Sequence, residues 1–206
     1  MSVSNVTGLI TAAPFVLDSR RPSGAVGLVA QYLDNVGIAS VQLRRECSFS
    51  TFSQRMRLVC GVEPPLRLRC AIGGSIRLVA VGPESWLAIG TGNLFTVLRE
   101  GIAESASLTD QSSGYLILRL TGPRVRETFA KLIPIDFHPR AFAIGDAAAT
   151  VAAHIGVTVW RCPDDAGGYP TFELACLRSF SADLVEALRR SAAEFSFLLA
   201  VYPLTN

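Results

Sequence analysis

The chain has 206 residues, of which 50% are hydrophobic and only 17% are charged, and its formal net charge is +2. This composition excludes an intrinsically disordered chain, which is poor in apolar residues, and a nucleic-acid-binding domain, which needs a clustered basic face. A membrane-spanning helix is also excluded, because it needs roughly 18 or more apolar residues in a row and the best stretch, residues 141–160, is interrupted by Asp146 and His154.

The first 60 residues are predicted to be an N-terminal extension that is partly irregular and holds one helix. Residues 1–21 show no periodic pattern. A helix over residues 23–35 is predicted from apolar residues at helical spacing, which are Val26, Val29, Tyr32, Leu33 and Val36. Residues 45–56 are polar, and their pattern assigns neither a helix nor a strand.

The clearest pattern in residues 61–104, the first α+β half, is a β-hairpin. Alternating strands over residues 66–70 and 76–80 flank the turn pair Gly73-Gly74. Residues 86–89 predict a further strand. A helix after Asn93 is predicted from its apolar residues, Leu94, Val97, Leu98 and Ile102.

The second half, residues 105–206, begins with a buried-type strand over residues 116–120. Gly122-Pro123 is predicted to open a helix, with Pro at the first helical position, where its missing N–H costs nothing. Pro134 ends this helix, whose inner stripe is predicted to be Val125, Phe129, Leu132 and Ile133.

Three strands and a last helix are predicted to follow. Residues 150–153 and 157–161 predict two strands around Gly156, and residues 171–177 predict a third after a loop over 162–170. Ser179 or Ser181 is predicted to cap the last helix. Its inner face is predicted to be Phe180, Leu184, Leu188, Ala192 and Phe195.

This order of elements predicts the fold class and the domain organisation. Short hairpin connections favour an α+β fold of antiparallel sheets and short helices over a doubly wound parallel sheet. We place a soft boundary near Ser105, between two halves that form one compact domain or two tightly packed subdomains.

The apolar excess and the basic residues both bear on partners. A chain of this length already buries roughly 70% of its unfolded surface, so the surplus apolar residues predict a surface that a partner covers. Of the 19 basic residues, only Lys131 is lysine and the other 18 are arginine. Arginine is favoured at protein interfaces, although coding bias in a GC-rich genome explains the same count.

The five cysteines indicate neither a metal site nor a disulfide framework. Their number is odd, no pair has C-x-x-C spacing, and none has a histidine at metal-site spacing. We interpret Cys47, Cys60, Cys70, Cys162 and Cys176 as small buried hydrophobes. No basic residue precedes Arg20, so a secretory signal is not predicted, and we expect a cytoplasmic protein.

The two histidines are the first candidates for catalysis. His154 lies in the apolar run 151–155, which is typical of a core or edge histidine. Asp136 and His138 form an Asp-x-His pair that could orient an imidazole for acid–base chemistry. Because Pro134 and Pro139 bracket the pair, we favour a rigid loop in which both side chains cap backbone groups.

Motifs for other chemistry are incomplete. Ser112-Ser113-Gly114 lacks the first glycine of a nucleophile elbow. Residues 90–95 begin like a dinucleotide fingerprint but lack its third glycine, so we interpret them as a turn and helix start. We therefore predict no catalytic, cofactor-binding or metal-binding residue in this chain.

Seven short motifs occur in an order and at a spacing that resemble one family. They are GPESWL (82–87), DQS (110–112), LTGP (120–123), PIDFHP (134–139), AFAIG (141–145), VWR (159–161) and RSF (178–180). Over residues 66–195 the chain resembles the gamma subunits of heterotetrameric sarcosine oxidases. The resemblance implies a fold related to the folate-binding domain of the glycine-cleavage T-protein. Asp136 lies near an acidic position of those relatives, and we assign it no folate contact.

The resemblance also implies an oxidoreductase complex with alpha, beta and delta subunits and without nucleic acid or membrane. Such a complex oxidatively demethylates sarcosine to glycine, with hydrogen peroxide and methylenetetrahydrofolate as further products. The resemblance implies that FAD, FMN, NAD and tetrahydrofolate bind to other subunits and that none of them binds to this chain. This chain would then serve as a structural and assembly subunit. The alternatives are the equivalent subunit of an N-methylglutamate or dimethylglycine oxidising complex, and a free-standing folate-dependent aminomethyltransferase.

Overall fold

Two β-sheets packed face to face form the centre of residues 26–202, the part of the chain that the computed structural model describes. The strands are β1 (Leu28–Leu33), β2 (Val36–Leu43), β3 (Cys70–Gly73), β4 (Ile76–Gly82), β5 (Ser85–Thr91), β6 (Ala106–Asp110), β7 (Tyr115–Thr121), β8 (Ala147–Ala152), β9 (Ile155–Cys162), β10 (Thr171–Leu177) and β11 (Phe197–Tyr202). The α-helices are α1 (Phe49–Cys60), α2 (Leu94–Ile102), α3 (Val125–Ala130) and α4 (Ser181–Ser191), and short 3-10 turns flank α4 at Arg178–Phe180 and Ala193–Phe195.

One sheet has six strands in the order β11-β1-β7-β10-β9-β8, and the other has five in the order β3-β4-β5-β2-β6. All strand pairs are antiparallel except β1 with β11. The predicted α+β class with antiparallel sheets and short helices is therefore confirmed.

Each sheet carries helices on its outer face and meets the other sheet through its inner face. Helices α3 and α4 pack on the six-stranded sheet through residues such as Phe129 and Leu188, and α1 and α2 pack on the five-stranded sheet through Phe52 and Leu98. The inner layer contains Ile89 of one sheet and Trp160 of the other among its buried residues. The order of layers is helix, sheet, sheet, helix.

The predicted helix over residues 23–35 is wrong where the structure describes it, because residues 28–33 form strand β1. Leu28, Ala30 and Tyr32 alternate along this strand and are all buried in the core under α3 and α4. Alternation with period two fits a strand, and the helical spacing of the valines is coincidental. The predicted irregularity of residues 1–21 lies outside the described residues.

Helix α1 begins within the polar stretch that the sequence left unassigned. The Ser48 side chain caps it by accepting a hydrogen bond from the Thr51 backbone N–H at 3.1 Å. Gly61 ends it in the left-handed conformation, at φ 65°, and donates its N–H to the Arg57 carbonyl. The helix buries Phe52 and Met56 despite its polar composition.

The hairpin in the first half is confirmed, but its first strand begins at Cys70 rather than Leu66. Residues 66–68 form exposed bends instead, and Arg69 forms an isolated antiparallel bridge with Asp146. The strand over residues 86–89 and the helix after Asn93 are confirmed as β5 and α2. In the second half, α3 begins at Val125, two residues after Pro123, and ends at Ala130, so Leu132 and Ile133 lie beyond it.

The predicted cap of the last helix is wrong. Ser181 is the first residue of α4, and its hydroxyl donates to the Arg178 carbonyl, so it does not accept a helix N–H. Leu184, Leu188 and Ala192 are buried as predicted, whereas Phe180 is 46% exposed.

Each of the two sheets contains strands from both sides of the boundary that the sequence predicts near Ser105. Strand β1 precedes it and lies in the six-stranded sheet, whereas β6 follows it and lies in the five-stranded sheet. The division into residues 1–60, 61–104 and 105–206 stays a prediction.

Strands β8 and β9 correspond to the two strands predicted around Gly156, and they form a hairpin whose turn is Ala153-His154. Ala153 has φ 47° and His154 has φ 71°, both in the left-handed region that costs a non-glycine residue about 1–2 kcal/mol.

We expect the double substitution A153N/H154G, which installs the favoured Asn-Gly pair, to raise the free energy of unfolding by about 1 kcal/mol. Urea unfolding of the full chain measures this free energy. The β-branched variant H154V should lower the free energy of unfolding. Equal stability of A153N/H154G and H154V would contradict the conformational explanation.

Candidate functional site

The structure places both histidines on the surface. His154 is exposed at the β8–β9 turn, so it is not a core residue. In the loop that follows α3, a carboxylate oxygen of Asp136 accepts the His138 backbone N–H at 2.8 Å, and Nδ1 of His138 accepts the Arg140 backbone N–H at 3.2 Å. Both side chains cap backbone groups of their own loop, as predicted.

Ser112 and Lys131 also have structural partners. The Ser112 hydroxyl accepts the Ile38 backbone N–H at 3.0 Å and donates to the Asp110 carboxylate at 2.7 Å. Hydrogen bonds from Ser112 lower the pKa of Asp110. The Lys131 ammonium donates to the Ser191 carbonyl at 3.0 Å and pairs with Glu194, so it ties α3 to the end of α4.

The five cysteines are free thiols. Cys60, Cys162 and Cys176 are buried as predicted, and the predicted burial of Cys47 and Cys70 is wrong. Burial raises the pKa of Cys60 and of Cys176 to about 11, and burial together with Glu173 raises that of Cys70 to about 12. Cys47 and Cys70 are only half-buried. Among residues 26–202, no three His, Cys, Asp or Glu side chains converge as metal ligands would.

Because a thiolate is the reactive species, Cys47 is expected to react first with a disulfide reagent such as DTNB at pH 8. The native wild-type chain should release about one equivalent rapidly, since the other thiols are shielded by burial or by a raised pKa. The C47S variant should lose this rapid phase, whereas C176S, as the matched control, should keep it. A rapid phase that survives in C47S would contradict the assignment.

A surface cavity of about 420 Å³ lies where Arg44, Cys47 and the start of α1 meet Glu104. Arg44 and Arg55 face it together with Glu46 and Glu104, and Arg55 pairs with Glu104 at 2.9 Å. Because the two signs of charge balance, the cavity favours neither an anion nor a cation.

Among residues 26–202, the most buried charged group lies between the sheets, and no sequence motif marks it. Glu173 on β10 is 0% exposed. Its direct cross-strand neighbours are Arg119 on β7 and Trp160 on β9. Arg119 donates to one carboxylate oxygen through Nε at 3.0 Å and Nη2 at 2.6 Å, and the Trp160 indole donates to the other at 2.9 Å.

Arg77 completes this cluster from the opposite sheet. Its Nε lies 3.3 Å from the Glu173 oxygen that Trp160 also contacts, and Arg77 belongs to β4 of the five-stranded sheet. The carboxylate is therefore paired with one arginine from each sheet. Since both of its oxygens are engaged, the cluster links the sheets and leaves no carboxylate oxygen for a substrate.

Exposed apolar side chains lie along one edge of the two packed sheets. We call this surface the β3–β8 edge, because β3 and β8 are the outermost strands on this side of their sheets. The edge is formed by Leu66, Leu68, Ile72, Ile144 and Val151, which are 78%, 50%, 55%, 53% and 43% exposed.

Backbone and side-chain bonds hold the centre of the β3–β8 edge in place. The Leu68 carbonyl accepts the Ala147 N–H at 2.9 Å, and the Cys70 N–H donates to the Gly145 carbonyl at 2.8 Å. The Arg69 guanidinium pairs with the Asp146 carboxylate at 2.6 Å and donates to the Ile144 carbonyl at 3.1 Å. The apolar residues of this edge are thus attached to a fixed frame, although they face solvent.

This combination is typical of a surface that another protein covers. Exposed edge strands are normally shortened, charged or covered, because they pair with other chains. Arginine and large apolar residues are characteristic of interface centres, and Arg67 and Arg69 lie among the leucines here. No helix within residues 26–202 has the length and apolar character to cross a lipid bilayer.

Comparison with known proteins agrees with the motif resemblance. Residues 44–194 match the model of the sarcosine oxidase, gamma subunit family. A sarcosine oxidase subunit gamma from Arthrobacter sp. is 36% identical over 150 residues, which cover 65% of this chain and 73% of that protein. The subunit gamma from Corynebacterium sp. strain U-96 is 27% identical over 194 residues, covering 86% and 91%.

Solved structures show the same relation at the level of the fold. A chain of the heterotetrameric sarcosine oxidase from Corynebacterium sp. U-96, in complex with pyrrole 2-carboxylate, superimposes with a TM-score of 0.75 at 21% identity and 94% coverage of both chains. The glycine cleavage system aminomethyltransferase T from Bartonella henselae gives a TM-score of 0.57 at 9% identity, covering 85% of this chain and 48% of that one. This chain belongs to the sarcosine oxidase gamma subunit family and has the T-protein-like fold that its motifs predict.

Proposed function

We propose that this chain is the assembly subunit of a sarcosine oxidase complex and that the β3–β8 edge binds one of the larger subunits. The edge carries this proposal, since it presents five large apolar side chains to solvent on a fixed frame. Fully burying one such side chain contributes about 1.5–3 kcal/mol. Covering the edge would therefore stabilise the complex and would account for the apolar excess of the sequence.

In this proposal the chemistry belongs to other subunits. FAD, FMN, NAD and tetrahydrofolate are held by the larger chains, which demethylate sarcosine oxidatively to glycine, hydrogen peroxide and methylenetetrahydrofolate. The partners are alpha, beta and delta subunits in the cytoplasm. The engagement of Asp136, His138, Lys131, Ser112 and Glu173 in structural bonds supports a non-catalytic role.

Co-expression with the larger subunits tests the proposal. The expected result is a complex that contains this chain and produces hydrogen peroxide from sarcosine. The H138Q and H154Q variants should leave kcat for sarcosine within about twofold of wild type, since neither side chain acts in the reaction. A stable monomer that ignores the larger subunits, or a histidine variant with unchanged assembly and abolished turnover, would contradict it. Comparing sarcosine, N-methylglutamate and dimethylglycine as substrates decides among the related complexes.

The second candidate is a free-standing folate-dependent aminomethyltransferase, favoured only by the structural similarity to aminomethyltransferase T. It requires tetrahydrofolate binding by this chain alone. Isothermal titration of tetrahydrofolate into the isolated chain and into the complex separates the two functions. Our proposal predicts a heat of tetrahydrofolate binding with the complex and none with the isolated chain. Saturable binding of tetrahydrofolate by the isolated chain would favour the second candidate.

A further inference from the structure

Strand β8 is the outermost strand of the six-stranded sheet and pairs with β9 along one side only. The Asp146 carbonyl accepts the Arg161 N–H of β9, whereas the next residue, Ala147, donates its N–H away from β9 to Leu68. Backbone groups alternate between the two sides of an antiparallel strand. The N–H and C=O groups of Ala149 and Val151 therefore point away from β9, like those of Ala147.

The chain itself closes both ends of this outer side. Leu68 occupies the position beside Ala147, and the Leu132 carbonyl accepts the Ala153 N–H at 3.1 Å. Between these contacts, the outward groups of Ala149 and Val151 have no backbone or side-chain partner among residues 26–202, and both residues are exposed. Two donors and two acceptors thus remain open in a short gap.

The gap lacks the usual protection of a sheet edge. Natural edge strands carry charged residues, proline or a bulge that prevent pairing with another chain. Strand β8 reads Ala-Ala-Ala-Thr-Val-Ala, without any of these residues, and its register with β9 is regular. The small side chains of Ala148, Ala149 and Thr150 also leave room for a neighbouring backbone.

We propose that a short extended segment of a larger subunit pairs with β8 at Ala149 and Val151 as an added strand of the six-stranded sheet. This inference rests on the proposed function and specifies how the partner binds at one end of the β3–β8 edge. Strand addition is a common mode of peptide recognition, in which main-chain hydrogen bonds supply affinity and alternate side chains supply specificity.

The gap favours a flexible segment over a second copy of this chain. Backbone groups bond only where both residues of an antiparallel pair face outward, so two copies of β8 with Ala149 of one copy opposite Val151 of the other would place Ala153 of one copy beside Ala147 of the other. That position is already taken by Leu68. An extended segment can enter the gap and leave it without displacing Leu68 or Leu132. Since Ala149 and Val151 share the side of Ala147, which is buried between the sheets, we expect apolar side chains at alternate positions of the segment.

The test uses a proline substitution that removes one outward N–H. A149P deletes no hydrogen bond to β9, and proline is tolerated at such edge positions. This variant should lower the association constant with the larger subunits by about tenfold or more, because one hydrogen bond is lost and the proline ring obstructs pairing. A149S keeps the N–H and should assemble within about twofold of wild type. Unchanged thermal unfolding of the isolated A149P chain shows that its fold is intact, and assembly of A149P equal to that of A149S would overturn the proposal.

Amide hydrogen exchange supplies a readout that is independent of mutation. The amides of Ala149 and Val151 should exchange rapidly in the isolated chain and slowly in the complex, whereas those of Ala148 and Thr150, bonded to β9, should be slow in both. Equal exchange of Ala149 and Val151 in both states would overturn strand pairing alone. Protection that appears in the isolated chain with rising concentration would assign the gap to a second copy, and failure of the wild-type chain to assemble would overturn the proposed function as well.

Discussion

The E173Q variant is expected to lose about 3–5 kcal/mol of its free energy of unfolding, the typical cost of removing one partner from a buried ion pair. Glu173 is fully buried, and its carboxylate is the common partner of Arg119, Trp160 and Arg77. A neutral amide would leave the two guanidinium groups facing each other between the sheets. Urea unfolding of the full chain, followed by circular dichroism, measures the loss.

The control applies the same substitution to an exposed carboxylate. Glu186 on α4 pairs with Arg189 and Arg190, whose hydrogen bonds lower its pKa to about 2. Because solvent screens such a pair, E186Q should cost no more than about 1 kcal/mol. If E173Q cost no more than E186Q, Glu173 would not link the sheets as described.

A second variant separates charge from packing. The triple substitution R77M/R119M/E173M removes every charge of the cluster and replaces it with apolar side chains. Replacing a whole buried charge cluster is often neutral or stabilising, so this variant should recover most of the stability that E173Q loses. A triple variant that unfolds as easily as E173Q would show that packing around the cluster dominates.

The double substitution L66E/L68E is expected to lower the association constant between this chain and the larger subunits by about 10²–10⁴-fold. Each leucine contributes about 1.5–3 kcal/mol when it is fully buried, and a tenfold change corresponds to about 1.4 kcal/mol. Both leucines are exposed in the isolated chain, at 78% and 50%, so its thermal unfolding should change little.

Val97 offers the matched control for this surface. It is 43% exposed on α2, which packs over β2 and β6 at the opposite side of the five-stranded sheet from β3. V97E therefore introduces one carboxylate, against two in L66E/L68E, on the same fold without touching the β3–β8 edge. Assembly should be unaffected by V97E, and equal loss in V97E and L66E/L68E would mean that the edge has no special role.

Local patterns were sufficient for the elements whose partners are close in the sequence. The hairpin around Gly73-Gly74, helix α2 and strands β7 and β10 follow from spacing and turn residues. Strand β1 was predicted as a helix because its identity depends on pairing with β11, more than 160 residues away. The pattern of residues 45–56 assigns no element because the apolar face of α1 is narrow, although Ser48 and Gly61 mark the ends of this helix.

The candidate site was predictable only in part. Composition predicted an arginine-containing apolar surface, but its position depends on tertiary contacts. Residues 66–69 alternate like a strand, but tertiary bonds such as those from Ala147 to Leu68 and from Arg69 to Asp146 place them at the rim of the two sheets. The Glu173 cluster joins β4, β7, β9 and β10 across nearly 100 residues, so no local motif could reveal it.

Photo-crosslinking from the β3–β8 edge tests the central claim most directly. A benzoylphenylalanine residue placed at position 68, in chains co-expressed with the larger subunits, should form a covalent adduct with one of them. The same residue placed at position 97 should form none. Adducts from position 97 alone, or none from position 68 in a complex that contains this chain, would contradict the assignment of this edge as the assembly surface.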